Sequence, residues 1–209
     1  MADIMDIVQS VDKVNMPAMN DEDLLELLLH QASARDLVSV NDIIVGMDKI
    51  VWHESKGIWD EVQDVNVRGD NKGPATGGFQ YERSKRFGGS NAGRHAANRL
   101  YSVLGGELPR GSKAQGNEVK GRIPDVLPAW LDQYFGQNNA GVRYDKGEVP
   151  MKDLTPTQQK ILFLGDKLQT PGLSFQGIGS SKWAFENHNK GLDAQYLLDY
   201  EDSMKTFKP

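Results

Sequence analysis

Trp52-His53-Glu54-Ser55-Lys56-Gly57 closes an apolar helical pattern on a glutamate, and a long polar loop then leads into the glycine-rich run Gly73 to Glu82, "GPATGGFQYE". Cleaving a glycosidic bond needs a protonated carboxyl to deliver a proton to the bridging oxygen and, for hydrolysis with inversion, a second carboxylate roughly 6.5–9.5 Å away to activate a water. Ile43, Met47, Ile50 and Glu54 recur at helical spacing, so the glutamate projects from the same stripe as residues that pack inward. Partial desolvation there disfavours the charged form and keeps a proton available for donation. The stripe alone is equally compatible with an exposed glutamate in a fraying last turn. Its neighbours have to discriminate.

Glu54-Ser55 followed by Gly77-Gly78-Phe79-Gln80 resembles the catalytic region of the lysozyme superfamily, in particular goose-type lysozymes and soluble lytic transglycosylases. The resemblance implies a mainly α, lysozyme-like fold with a small β-hairpin or loop region beside the cleft. It implies Glu54 as general acid, with Asp70 and Glu82 positioning the attacking water. Ser55, Gly77, Gly78, Phe79 and Gln80 would line the sugar cleft, and Trp183 and Asn187, in "WAFENHNKG", would face the glutamate from a late helix. The implied reaction is cleavage of the β-1,4 linkage between N-acetylmuramic acid and N-acetylglucosamine in peptidoglycan glycan strands, without cofactor or metal. Where a base activates water the product is hydrolysed; where the substrate's own N-acetyl group attacks, an anhydro end remains. The chain departs from the family pattern in two places. The loop before Gly77 carries, beside Trp59, the acids Asp60, Glu61 and Asp64, which compete with Asp70 for the second role, and Glu-Asn-His-Asn-Lys-Gly stands where the family has Ala-Tyr-Asn-Ala-Gly.

Each supporting residue also has a plainer reading. Gly77 and Gly78 let a saccharide approach the backbone, or simply make a hairpin turn. Gln80 hydrogen-bonds a sugar amide or faces solvent. Phe79 and Tyr81 alternate with Gln80 and Glu82, which puts one pair toward the core and the other toward the cleft. Trp59 and Trp183 stack on sugar rings or, as is commoner for tryptophan, are buried. His53-Glu54 opens a zinc-peptidase motif, but Gly57 stands where the second histidine is required, and His30, His95 and His188 are scattered. "GGSNAGRH", Gly88 to His95, lacks the Gly-Lys-Ser/Thr ending of a phosphate loop and reads as the start of a helix capped by Ser90 or Asn91.

Several helices must position these groups. "NDEDLLELLLHQASARD" predicts a helix capped by Asn20 or Asp21, and "VNDIIVGMDKIVWHES" a second capped by Asn41 and stopped at Gly57. Further helices are expected over "NAGRHAANRLYSVLG", ending near Gly105, over "IPDVLPAWLDQYFG", and over "TPTQQKILFLGDKLQ" with Thr155 as cap and Pro156 in the first turn. A last helix starts around Ser180 or Ser181 and breaks near Gly191. The expected organisation is an N-terminal helical segment, 1–38, ahead of a catalytic domain, 39–209.

The 209 residues, 38% hydrophobic, suffice for a packed core, and the absence of cysteine excludes disulfides and thiolate metal sites. Net charge is −5 but uneven: residues 1–40 carry eight acids against Lys13 and Arg35, whereas Arg83 to Arg122 carry nine bases against Glu107 and Glu118. The basic stretch would draw anionic wall polymers or is a solvated face. Nothing in zinc-finger spacing or aromatic–basic patterning accompanies it, so a nucleic-acid partner is not expected. No apolar run is long enough to span a membrane, and the first twenty residues, with three aspartates and no basic leader, do not read as a signal peptide. Taken with the resemblance, this implies a bacteriophage virion or phage-lysis setting, with action in the periplasm or at the cell wall and other virion proteins as further partners. The competing expectation is a non-catalytic virion structural or wall-binding protein that keeps the fold with a decayed site.

Overall fold

Capping side chains set where the helices begin. In the computed structural model, which describes residues 19–61, 75–81, 92–105, 130, 151–187 and 195–208, helix α1 (Asp21–Asp36) starts where Asn20 Oδ1 accepts the Asp23 N–H at 2.8 Å. Asp21, Glu22 and Asp23 then place negative charge on the positive end of the helix dipole. Helix α2 (Val40–Ser55) is capped by Ser39, whose Oγ accepts the Asp42 N–H at 3.0 Å. The expected cap, Asn41, already lies inside the first turn. Both residue types cap well, and the left-handed turn at Leu37 (φ 55°) brings the chain into helix two residues earlier. Helix α3 (Ala92–Val103) follows, then a 3₁₀ turn (Met151–Asp153) and helix α4 (Pro156–Leu168), which has the full Thr155–Gln158 capping box and proline in its first turn. The last helical segment is two helices, α5 (Ser181–Asn187) and α6 (Gln195–Met204). The helix expected over 123–136 lies outside the described residues except for Trp130, whose indole N–H donates to Asp21 Oδ1 at 2.7 Å.

The architecture is mainly helical, and among the described residues there is no β-strand, only an isolated antiparallel bridge between Thr76 and Tyr81. Helix α4 is the hub. Helices α1 and α3 both pack on it, and α2 packs on α1. Leu24, Leu28, Ile43, Met47, Ile50, Leu100 and Phe163 are all fully buried in one cluster. Helix α1 therefore shares a core with α2, α3 and α4. Close helix approach depends on Gly165, where a Cβ would lie 2.6 Å from the Leu100 side chain.

A second, smaller cluster joins α5 to α6 through Ala184, Tyr196 and Tyr200, with Phe185 and Met204 against it. Helix α6 also packs on α2. The loop before α5 is drawn onto α2 where Gly179 meets Gly46: a Cβ on Gly179 would sit 2.6 Å from the Gly46 Cα. Among the described residues no helix is long and apolar enough to cross a membrane.

Candidate functional site

The helical stripe on α2 behaves as its spacing requires up to the final turn. Ile43, Met47 and Ile50 are fully buried, and Glu54, next on the stripe, is half-buried where the helix leaves the main core. There it meets α6: the Tyr196 hydroxyl donates to Glu54 Oε1 at 2.7 Å. The two residues before Glu54 hold the same helix. The Trp52 indole N–H donates to the Ser203 carbonyl at 3.0 Å, and His53 Nδ1 lies 3.0 Å from Ser203 Oγ. The His53 ring sits 4.8 Å from Tyr196, edge to face, and 4.7 Å from Tyr200. Tyr200 is buried and donates its hydroxyl to the Gly179 carbonyl at 3.0 Å.

Electrostatics follow from this enclosure. Burial, reinforced by the Lys56 charge and opposed by Asp199, pulls the His53 pKa down to about 4. Burial, and then the negative charge on Glu54, pushes the Tyr200 hydroxyl well above its ordinary range. Both groups are therefore neutral around pH 7, in a half-enclosed setting that surrounds one carboxyl.

The glycine-rich turn borders the same helix on another side. Thr76 and Tyr81 exchange backbone hydrogen bonds of 3.2 and 3.0 Å, closing Gly77 to Gln80 into a tight loop. A buried amide holds it in place: Gln159 Oε1 accepts the Gly78 N–H at 2.8 Å, while its Nε2 donates to the carbonyls of Trp59 and Leu154 at 2.8 and 3.0 Å. The glycines serve packing. A Cβ on Gly78 would fall 2.7 Å from the Trp59 ring and 3.1 Å from Val51, one turn before Ser55 on α2, and Gly77 has φ +79° with Gln159 filling the space beside it. Both glycines are buried, and the space a side chain would enter is taken by protein.

Several residues expected to line the cleft are placed elsewhere. Phe79 is fully buried and stacks on Phe163 at 4.3 Å, so it is a core residue and cannot touch a sugar. Trp183, 4% exposed, donates its indole N–H to the Ser174 carbonyl at 2.6 Å and is likewise core. In both cases the large apolar area of the ring outweighs its use as a sugar platform. Ser55 is buried and bonds back to the Val51 carbonyl at 2.9 Å. Gln80 is half-buried with φ 50°, and its amide donates to the Gly77 carbonyl at 2.8 Å, which spends one of its groups on its own turn. Asn187 ends α5 with its carbonyl accepting Lys167 Nζ at 2.9 Å. Trp59 is half-buried, edge-on to Phe79 at 5.8 Å and beneath Lys160 Nζ at 5.6 Å. Asp70 and Glu82 lie outside the described residues, as does most of the basic 83–122 stretch.

The structure thus joins Glu54 to α6 and the glycine turn to α2, through residues that sequence reasoning passed over: Tyr196, Tyr200, Ser203 and Gln159. The available signal was a pair of tyrosines four apart on one face of the last helix, but nothing in the sequence docks that face onto Glu54. A surface groove of about 500 Å³ lies at the other end of α2, lined by Leu37, Asp42, Lys49 and Ile178 among others, and does not include Glu54. Among the described residues no three histidines or acids are grouped to hold a metal ion. No protein-family model, curated protein or solved structure matches the chain.

Proposed function

We propose that the chain is a peptidoglycan glycosidase in which Glu54 is the general acid at the β-1,4 linkage between N-acetylmuramic acid and N-acetylglucosamine. One observation carries the reading: a half-buried carboxyl at the end of a core helix whose Oε1 accepts the hydroxyl of Tyr196. As general acid Glu54 would deliver a proton to the glycosidic oxygen, and the Tyr196 hydroxyl on Oε1 holds the carboxyl's orientation while it does so. Once the proton has left, the Tyr196 hydroxyl makes a charge-assisted hydrogen bond to the carboxylate, stabilising the state reached in the transition state. The resemblance of Glu54-Ser55 and Gly77 to Gln80 to the lysozyme superfamily supports the same assignment, with Asp70 or Glu82 as second acid where the product is hydrolysed. Muralytic domains of this kind in phage particles or phage lysins set the proposed site of action, the cell wall or periplasm, with other virion proteins as further partners.

The test is turbidity loss of purified cell walls with wild type and Glu54→Gln, followed by mass spectrometry of the released muropeptides. Clearing by wild type and its loss in the variant are expected. Clearing retained in Glu54→Gln rejects this acid, and walls left intact by wild type favour a structural or wall-binding role. Reducing ends or anhydro ends on the products separate hydrolysis from transglycosylation, and replacing Asp70 and Glu82 in turn assigns the second acid.

A further inference from the structure

Histidine 53 has no part in the chemistry above, yet it is enclosed beside the carboxyl that does. Consecutive residues on a helix leave it about 100° apart, and here the two side chains reach different parts of one tyrosine: His53 meets the ring of Tyr196 and Glu54 its hydroxyl. Seven residues further along α6, two helical turns on, Ser203 receives both Trp52 and His53. Helix α6 is therefore pinned to α2 at two points along its length, which fixes its rotation and its slide together. We propose that His53 is a positioning residue: by seating its ring against both Tyr196 and Tyr200 and donating from Nδ1 to Ser203, it sets where α6 sits on α2 and so where the Tyr196 hydroxyl meets Glu54. The catalytic consequence rests on the glycosidase reading; the placement of Tyr196 does not.

The other hydrogen bond of the Ser203 hydroxyl sets the direction of the contact. Ser203 Oγ donates its hydrogen to the Tyr200 carbonyl at 2.8 Å, so toward His53 it accepts, and the ring carries its proton on Nδ1. Main-core burial does not do this work for α6. Its buried aromatic residues, Tyr196 and Tyr200, belong to the small α5–α6 cluster, and Leu198 is 58% exposed. The charged or titratable groups around the ring are Glu54 on α2 and Lys56 just past its end, with Tyr196, Asp199 and Tyr200 on α6. Trp52 reaches the carbonyl of Ser203 and leaves the hydroxyl to His53, so the two contacts are separable by mutation.

The experiment compares His53→Leu, which removes the donor, with His53→Asn, whose amide N–H can replace Nδ1–H, using wall-clearing kinetics together with NMR of ζ-carbon-labelled tyrosine, the Tyr196 signal being assigned with Tyr196→Phe. His53→Leu is expected to lower kcat about ten- to a hundredfold, the scale of a misplaced catalytic group, with KM unchanged. Its Tyr196 signal moves as far as it does in Glu54→Ala, where the hydroxyl loses its acceptor, and His53→Asn restores both kcat and signal. Wild-type kcat with an unmoved Tyr196 signal in His53→Leu overturns the proposal. So does a displaced Tyr196 signal in a folded His53→Asn, which also decides the matter if the leucine variant does not fold. If wild type leaves walls intact, the signal alone decides: movement in His53→Leu keeps the positioning role while the glycosidase reading fails, and no movement rejects the positioning role as well.

Discussion

The Gly77–Gln80 turn and the contact between α6 and Glu54 both border the end of α2, but they are held by opposite means. The turn is locked by a fully buried amide, Gln159, that satisfies one N–H and two carbonyls, and by Phe79 stacked in the main core. The α6 contact is made by hydroxyls, an indole and a histidine on a helix whose own apolar cluster is small. One region depends on packing that tolerates little change, the other on polar contacts that can be tuned one atom at a time. Functional groups commonly sit on the less deeply anchored side of such a pair, because a wholly locked side chain can neither receive a substrate nor exchange a proton. The difference teaches that the glycine run is fastened as tightly as the core it borders, while the proposed acid meets a helix whose sequence carries no motif.

Mutations at the two regions should therefore separate activity from stability. The largest effect is expected for Glu54→Gln, a loss of about 10²–10⁴-fold in wall clearing, the usual worth of a general acid, with the unfolding midpoint almost unmoved because the amide still offers an oxygen to Tyr196; a large drop in the midpoint would erase the distinction. Phe79→Ala should do the reverse, lowering stability in urea titration by about 3–5 kcal/mol while activity per folded molecule persists. Gln159→Leu should cost about 2–3 kcal/mol, since the Gly78 N–H and the carbonyls of Trp59 and Leu154 lose their partner in a buried site. The pH dependence probes the other region. His53 falls from an ordinary 6.5 to about 4 in the fold, so between these values the unfolded chain binds a proton that the folded one does not. Its contribution is whole above pH 6.5 and is lost as pH falls toward 4, and melting curves of His53→Asn should lack that portion of the slope. The smallest effect is expected for Ser39→Ala, about 1 kcal/mol from a lost cap, with wall clearing unchanged because the first turn of α2 is remote from both regions.

Much of the helical framework was legible because its signals are local. Asn20, Thr155 and Pro156 cap and start helices through contacts within one turn, and the stripe Ile43, Met47, Ile50 is buried as its period demands. The error at Ser39 against Asn41 shows the limit of that reasoning: two competent caps stood two residues apart, and the preceding turn chose between them. Phe79 and Trp183 show another. Alternation correctly separates buried Phe79 and Tyr81 from half-buried Gln80, yet it gives no measure of how completely a ring is enclosed.

By itself, then, the sequence determined where most helices lie, which face of α2 turns inward, and that Glu54 continues that face, since each follows from the period and the caps of a single segment. Only the tertiary structure decided that α1 shares the core of α2, α3 and α4, that Gln159 fastens the glycine turn, and that Tyr196 meets Glu54, 142 positions away in the chain. Those contacts join surfaces whose pairing depends on how several helices pack at once, and no single segment carries that information.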